Sequence, residues 1–176
     1  MKKIIIIGAG AMGSAFAVPC LENKNDVTIV GTHLEDELIK GIKSNNKYHP
    51  TLNLELPSKL KVEKFEKLSS ILEDGVDIIV AAISSIGIEW FVEQISKHYK
   101  KNLPIILLTK GLAIEENEII TLSDKIKKLL EEKSHTRVNV SAIKGPCLAA
   151  GLANKMRTGT VIANPDIKEA EFLKKM

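Results

Sequence analysis

Met1-Lys-Lys-Ile-Ile-Ile-Ile-Gly-Ala-Gly-Ala-Met-Gly-Ser-Ala-Phe-Ala17 is the stretch whose reading decides the fold. Ile4, Ile5, Ile6 and Ile7 are consecutive β-branched apolar residues, the signature of a parallel strand buried on both faces. Gly8, Gly10 and Gly13 then form G-x-G-x-x-G where the apolar strand gives way to helix-forming residues. Gly8 permits a tight turn, Gly10 lets the backbone approach a pyrophosphate, and Gly13 lets the new helix pack on the strand. Amides around Ala11, Met12 and Gly13 would face phosphate oxygens, with the positive end of the helix dipole behind them. The motif follows a strand and opens a helix, so a dinucleotide site is expected rather than a purely structural glycine turn.

Composition sets bounds around that site. The 176 residues suit one α/β domain with a sizeable core. The apolar fraction of 44% and charged fraction of 27% are those of an ordinary globular protein. A net charge of +3, with dispersed lysines, argues against nucleic acid and mildly favours an anionic small molecule. No apolar run approaches the ~20 residues of a membrane span. Lys2-Lys3 and the isoleucine run could suggest a signal peptide, but the apolar run is too short and the glycines follow at once. Cys20 and Cys147 have neither metal spacing nor a disulfide framework, so the expected compartment is the cytoplasm.

Helices and strands alternate beyond the opening unit. Residues 14–22 read as a helix that Pro19 should bend or shorten. Residues 27–30 form the second strand, which completes βαβ spacing. An acid at the tip of this strand normally holds the adenosine ribose. Here the tip is Gly31-Thr32-His33, with Glu35 and Asp36 arriving late. Thr32 is therefore the expected ribose-side contact, and the choice between NAD and NADP stays open. His33 suits a phosphate contact or a solvated loop equally well.

Residues 34–42 read as an amphipathic helix. Residues 44–58, polar and punctuated by Pro50 and Pro57, read as a long surface loop. A short strand is expected at 59–62 and a helix at 64–72, before the Asp74-Gly75 stop. Residues 77–83 form a buried strand ending at Ser84-Ser85, on the edge where ligands of open α/β sheets collect. The helix at 88–99 buries Trp90, Phe91 and Ile95, with Trp90 as packing rather than a stacking platform, and His98 sits near its end. Residues 104–109 form another strand, followed at once by Lys110-Gly111. Lys110 is either a solvated cation or, at the sheet edge, a partner for a phosphate or carbonyl oxygen. A helix is expected at 117–132, with Ile119, Leu122, Ile126, Leu129 and Leu130 on its apolar stripe and Lys125, Lys127 and Lys128 on a solvated face. Then come a strand at 138–143, a Gly145-Pro146 turn, a small-residue helix at 147–155, a strand at 160–163 and a helix from 166. The alternation predicts a doubly wound, mostly parallel Rossmann sheet.

Four blocks stand in one order: Gly8 to Gly13, the strand ending at Ser84-Ser85, Lys110-Gly111-Leu112, and Lys144-Gly145-Pro146-Cys147-Leu148-Ala149. With Gly31-Thr32 and His49-Pro50 they resemble the NAD(P)-dependent glycerol-3-phosphate dehydrogenases, over the N-terminal half of that family's enzymes. The resemblance implies hydride transfer between NAD(P)H and dihydroxyacetone phosphate, giving sn-glycerol 3-phosphate for phospholipid synthesis. It implies cofactor contacts from Gly8, Gly10, Ala11, Met12, Gly13, Thr32, Ser84, Lys110 and Ala149. It implies substrate contacts from Lys110, Gly145 and Cys147, with Lys110 positioning the reacting oxygen, and no metal. A homodimer of the full-length form is compatible with it.

The chain departs from the family at two positions: Ser84 stands where proline is usual, and Cys147 where serine or threonine is usual. A thiol is the poorer hydrogen-bond partner, and no histidine is placed to activate it as a nucleophile. The family's helical second domain, with its proton-transferring lysine, is expected to follow residue 166 and is not in this chain, so the chain alone is expected to be inactive. Two alternatives stay open: a stand-alone, non-catalytic dinucleotide-binding module, and a related dehydrogenase of the ketopantoate reductase or 6-phosphogluconate type.

Overall fold

The computed structural model describes residues 1–100 and 102–176. Its strands are β1 (Lys3–Ile7), β2 (Asp26–Val30), β3 (Tyr48–His49), β4 (Leu54–Glu55), β5 (Lys61–Glu63) and β6 (Ile78–Ala81). They continue with β7 (Ile105–Leu107), β8 (Leu112–Glu115), β9 (Glu118–Thr121), β10 (Val140–Lys144) and β11 (Val161–Ala163). The helices are α1 (Ala11–Glu22), α2 (Asp36–Ser44), α3 (Leu68–Glu73), α4 (Ile88–Ser96), α5 (Leu122–Ser134), α6 (Ala149–Ala153) and α7 (Ile167–Leu173).

Seven strands form one sheet in the order β11–β10–β7–β6–β1–β2–β5. Every pairing is parallel except that of β10 with β11. The isoleucine run of β1 divides between the two faces, as strand periodicity requires. Ile4 and Ile6 join a cluster with Ala15, Ala17 and Cys20 of α1, whereas Ile5 and Ile7 join Phe91 and Ile95 of α4 and Ile126 and Leu130 of α5. The strands run in register to one edge. Ile7 lies opposite Val30 and Ala81, and Leu107 opposite Ala81 and Ala142. The chain leaves β1 toward β2 on one side and returns through β6 on the other, so the crevice outside this edge is the ligand position of a doubly wound sheet.

Several local expectations are corrected. Residues 44–58 are not a surface loop: they contain the β3–β4 hairpin, and His49, Leu52 and Leu56 are buried. The helix expected at 117–132 begins at Leu122, because β8 and β9 form an antiparallel hairpin before it. Glu116 and Asn117 turn that hairpin with φ of 49° and 67°, the left-handed pair that suits two-residue hairpin loops. Ile119 consequently lies on the hairpin and is exposed rather than on a helical stripe. Pro19 lies inside α1 without ending it, and Asn23 N–H bonds the Pro19 carbonyl at 3.1 Å. The helix near 147–155 is confined to α6. Of the lysines assigned to a solvated face, Lys125 pairs with Glu89 at 2.7 Å and Lys128 with Glu115 at 3.0 Å. No helix among the described residues is long and apolar enough to cross a membrane.

Candidate functional site

The glycines at 8, 10 and 13 have different causes. Gly8 has φ +111°, and a Cβ there would stand 2.3 Å from the Ala82 carbonyl oxygen on the neighbouring strand's exit. A Cβ on Gly13 would stand 2.3 Å from the Gly8 carbonyl oxygen and 2.8 Å from Ala82 Cβ. Packing within the protein therefore requires both. Gly10 differs: the nearest atom to its Cβ position is Glu35 Oε1 at 3.8 Å. The protein has no steric need for glycine there, and the open space is what a pyrophosphate crossing the loop would use. Gly10 caps α1 in extended conformation, and Ser14 N–H bonds the Gly10 carbonyl at 3.0 Å. The amides of Ala11, Met12 and Gly13 precede that first helical bond and have no helical acceptor, so they present the positive helix end to the crevice. The loop thus fits a dinucleotide phosphate by shape and by donor set.

The reading that no acid reaches the tip of β2 is corrected. Glu35, at the N-cap of α2, folds its carboxylate back over the tip. It accepts from Thr32 N–H at 2.7 Å and from Ala9 N–H at 3.1 Å. Thr32 is beside this carboxylate. Sequence spacing concealed Glu35 because the side chain returns from the next helix rather than extending from the strand. His33 is part of an aromatic group, its ring centroid 4.9 Å from that of Trp90, which in turn lies 5.5 Å from Phe65. Trp90 is accordingly a packing residue. His98 lies 3.8 Å from Glu73 across the α3–α4 ends.

On the other side of the crevice, Lys110 Nζ donates to the Gly145 carbonyl at 2.8 Å, and Lys144 Nζ donates to the Thr109 carbonyl at 3.2 Å. The two lysines therefore cross-link the exits of β7 and β10, and Lys144 joins Lys110 as a cation that the sequence reading did not single out. Gly145 has φ +119°, and a Cβ there would meet the Gly159 carbonyl oxygen at 2.9 Å, so its glycine identity is a packing requirement. Cys147 is buried, with its Sγ 4.0 Å from the Leu148 carbonyl, too weak a contact to orient it. A cavity of about 740 Å³ is lined by Met12 of the glycine loop together with Lys110, Gly145 and Cys147. Phe16, Leu108 and Ile162 contribute apolar lining to it. Ser84 has φ −70° at the cap of the turn after β6, the value a proline ring would impose, so serine leaves the local backbone course unchanged. Ala149 opens α6 and packs on the core cluster around α1. Cys20 faces the core, and burial pushes its thiol up to about 12. No cluster suited to a metal ion occurs among the described residues.

Comparison with known proteins gives a consistent family. Residues 3–170 match the sequence model described as NAD-dependent glycerol-3-phosphate dehydrogenase N-terminus. The NADP(+)-dependent glycerol-3-phosphate dehydrogenase of Archaeoglobus fulgidus is 33% identical over 98% of this chain and 50% of its own length. The glycerol-3-phosphate dehydrogenase [NAD(P)+] of Mesoplasma florum is 32% identical over 98% of this chain and 49% of its own. In structure, glycerol-3-phosphate dehydrogenase from Coxiella burnetii superposes with a TM-score of 0.77 at 22% identity, covering 99% of this chain and 50% of that one. The chain spans about half the length of the curated relatives it matches.

Proposed function

Because the chain belongs to the N-terminal family of NAD-dependent glycerol-3-phosphate dehydrogenases, we propose that it is the cofactor-binding half of such an enzyme. The reaction is hydride transfer between NAD(P)H and dihydroxyacetone phosphate, giving sn-glycerol 3-phosphate. The observation that carries the reading is the open space at Gly10 between two glycines that packing demands. The bound nicotinamide supplies the hydride. The chain's own residues bind and orient. Amides of Ala11, Met12 and Gly13 take the pyrophosphate, while Glu35 and Thr32 at the β2 tip receive the adenosine ribose. Lys110, anchored on the Gly145 carbonyl, retains free N–H directions for the substrate's oxygen or phosphate. Gly145 and Cys147 line the same cavity beside it. Ser84 at the end of β6 and Ala149 at the start of α6 are further cofactor contacts. A proton donor for the substrate oxygen belongs to the half of the enzyme that this chain does not span. We place the enzyme in the cytoplasm and, at full length, as a homodimer; cell fractionation and sedimentation test these two assignments.

Calorimetric titration of the chain with NADH and NADPH tests the site. Binding of at least one dinucleotide is expected, and failure of both to bind overturns the assignment. With dihydroxyacetone phosphate added, the 176-residue chain is expected to oxidise NADH negligibly. Sustained turnover would show that the proton donor lies within these residues.

A further inference from the structure

His49 is fully buried on the β3–β4 hairpin, 40 residues from the glycine loop in sequence, and its ring reaches that loop. Leu52 N–H donates to His49 Nδ1 at 3.2 Å, so Nδ1 carries no proton and the neutral ring holds its hydrogen on Nε2. That Nε2–H donates to the Ala9 carbonyl at 2.9 Å. Ser14 Oγ donates to the same carbonyl at 2.9 Å, and Glu35 accepts from the Ala9 N–H on the other side of the residue. Ala9 is thus held at both of its backbone polar groups, immediately before Gly10 and the amides that face the crevice.

We propose that His49 is a positioning residue for dinucleotide binding: as the Nε2–H tautomer it fixes the Ala9 carbonyl and so keeps the Gly8–Gly13 loop in its cofactor-accepting course before the cofactor arrives. Ser14 holds the carbonyl from within α1 itself, so it moves with the helix. His49 holds it from a separate element anchored in the core through Leu52 and Leu56, which ties the loop to the body of the domain. A preordered loop binds more tightly because less ordering remains to be done on association. The inference rests on the cofactor site proposed above.

The test compares the 176-residue chain with its His49→Phe and His49→Gln variants. Phenylalanine keeps the ring's bulk and removes both hydrogen bonds, whereas glutamine returns an N–H donor to the Ala9 carbonyl. NADH affinity and amide hydrogen exchange over residues 9–13 are measured, with the thermal midpoint as a control for global stability. H49F is expected to weaken NADH binding roughly tenfold and to accelerate exchange at these amides, and H49Q to recover affinity to within about threefold. Equal affinity in H49F and the wild type, with unchanged exchange, overturns the inference, as does equal weakening by H49F and H49Q. If H49F does not fold, His49→Leu takes its place: it likewise lacks both hydrogen bonds and is expected to weaken NADH binding and speed the same exchange relative to H49Q, and equality of the two variants overturns the inference. A wild-type chain that binds neither NADH nor NADPH overturns the cofactor site and the inference with it. A wild-type chain that binds, beside an H49F that binds equally well, overturns the inference alone.

Discussion

At the residue scale, Gly10 and Glu35 set opposite limits on what approaches the loop. Gly10 has room for a Cβ in the free protein, so Gly10→Ala should cost about 1 kcal/mol of stability or less while obstructing the pyrophosphate. NADH affinity is expected to fall by more than about tenfold, read by calorimetry beside an unchanged circular dichroism spectrum. Gly8→Ala should show the reverse order of effects. It forces a Cβ against the Ala82 carbonyl at positive φ, and is expected to cost more than ~2 kcal/mol in urea unfolding. Glu35 places a carboxylate at the β2 tip, where a 2′-phosphate would meet a like charge. NADH is expected to bind more tightly than NADPH, and Glu35→Gln to narrow that ratio by about tenfold; an unchanged ratio would remove Glu35 from cofactor choice. The glycine pattern was legible because each glycine's role is local. Glu35 and His49 were not, because one folds back from a helix cap and the other stands in sequence among Asn45, Asn46, Lys47 and Pro50, a run that reads as solvent-facing loop.

At the scale of elements, the strands of the sheet were legible wherever both faces are buried. The runs around Ile4–Ile7, Val27–Val30 and Ile78–Ala81 need no partner information to be recognised, since only a two-sided core accepts them. The β8–β9 hairpin escaped because Ile119 stands three residues before Leu122, which fits a helical stripe as well as a strand. Its identity depends on Glu116 and Asn117 taking left-handed conformations, and on Thr121 capping α5 by accepting from Asp124 N–H at 3.1 Å. That cap is the boundary between hairpin and helix. Thr121→Ala should therefore cost ~1 kcal/mol of stability, because Asp124 N–H loses its side-chain acceptor at the start of α5. Urea unfolding of the variant measures it, and stability equal to wild type would mean that water replaces the cap. The ion pairs Lys125–Glu89 and Lys133–Glu93, each 2.7 Å, tie α5 to α4 across the outer face and lower both glutamates below the usual carboxylate range. Their exposure limits what they add to stability.

For the whole molecule, a two-faced sheet encloses acidic protons that the unfolded chain releases more readily. Cys20 packs beneath the sheet on α1, and burial pushes its thiol from 9.0 to about 12. Tyr99 packs on the opposite face, its hydroxyl donating to the Leu103 carbonyl at 2.8 Å, and burial pushes it from 10.0 to about 12. In both cases the folded state keeps a proton that the unfolded state loses. Stability from these groups is complete well below pH 9.0, where neither state ionises the thiol. Above it, unfolding releases first one proton and then two, so stability should decline with pH by up to ~1.4 kcal/mol per pH unit for each group, until the folded groups themselves ionise near 12. Cys20→Ala removes the first of these steps. Urea unfolding of wild type and C20A, compared below and above pH 9.0, is expected to show a shallower decline in the variant. Parallel declines would mean that the Cys20 thiol ionises as readily in the folded chain as in the unfolded one, and that α1 lies less tightly on the sheet than its packing against Ile4 and Ile6 implies.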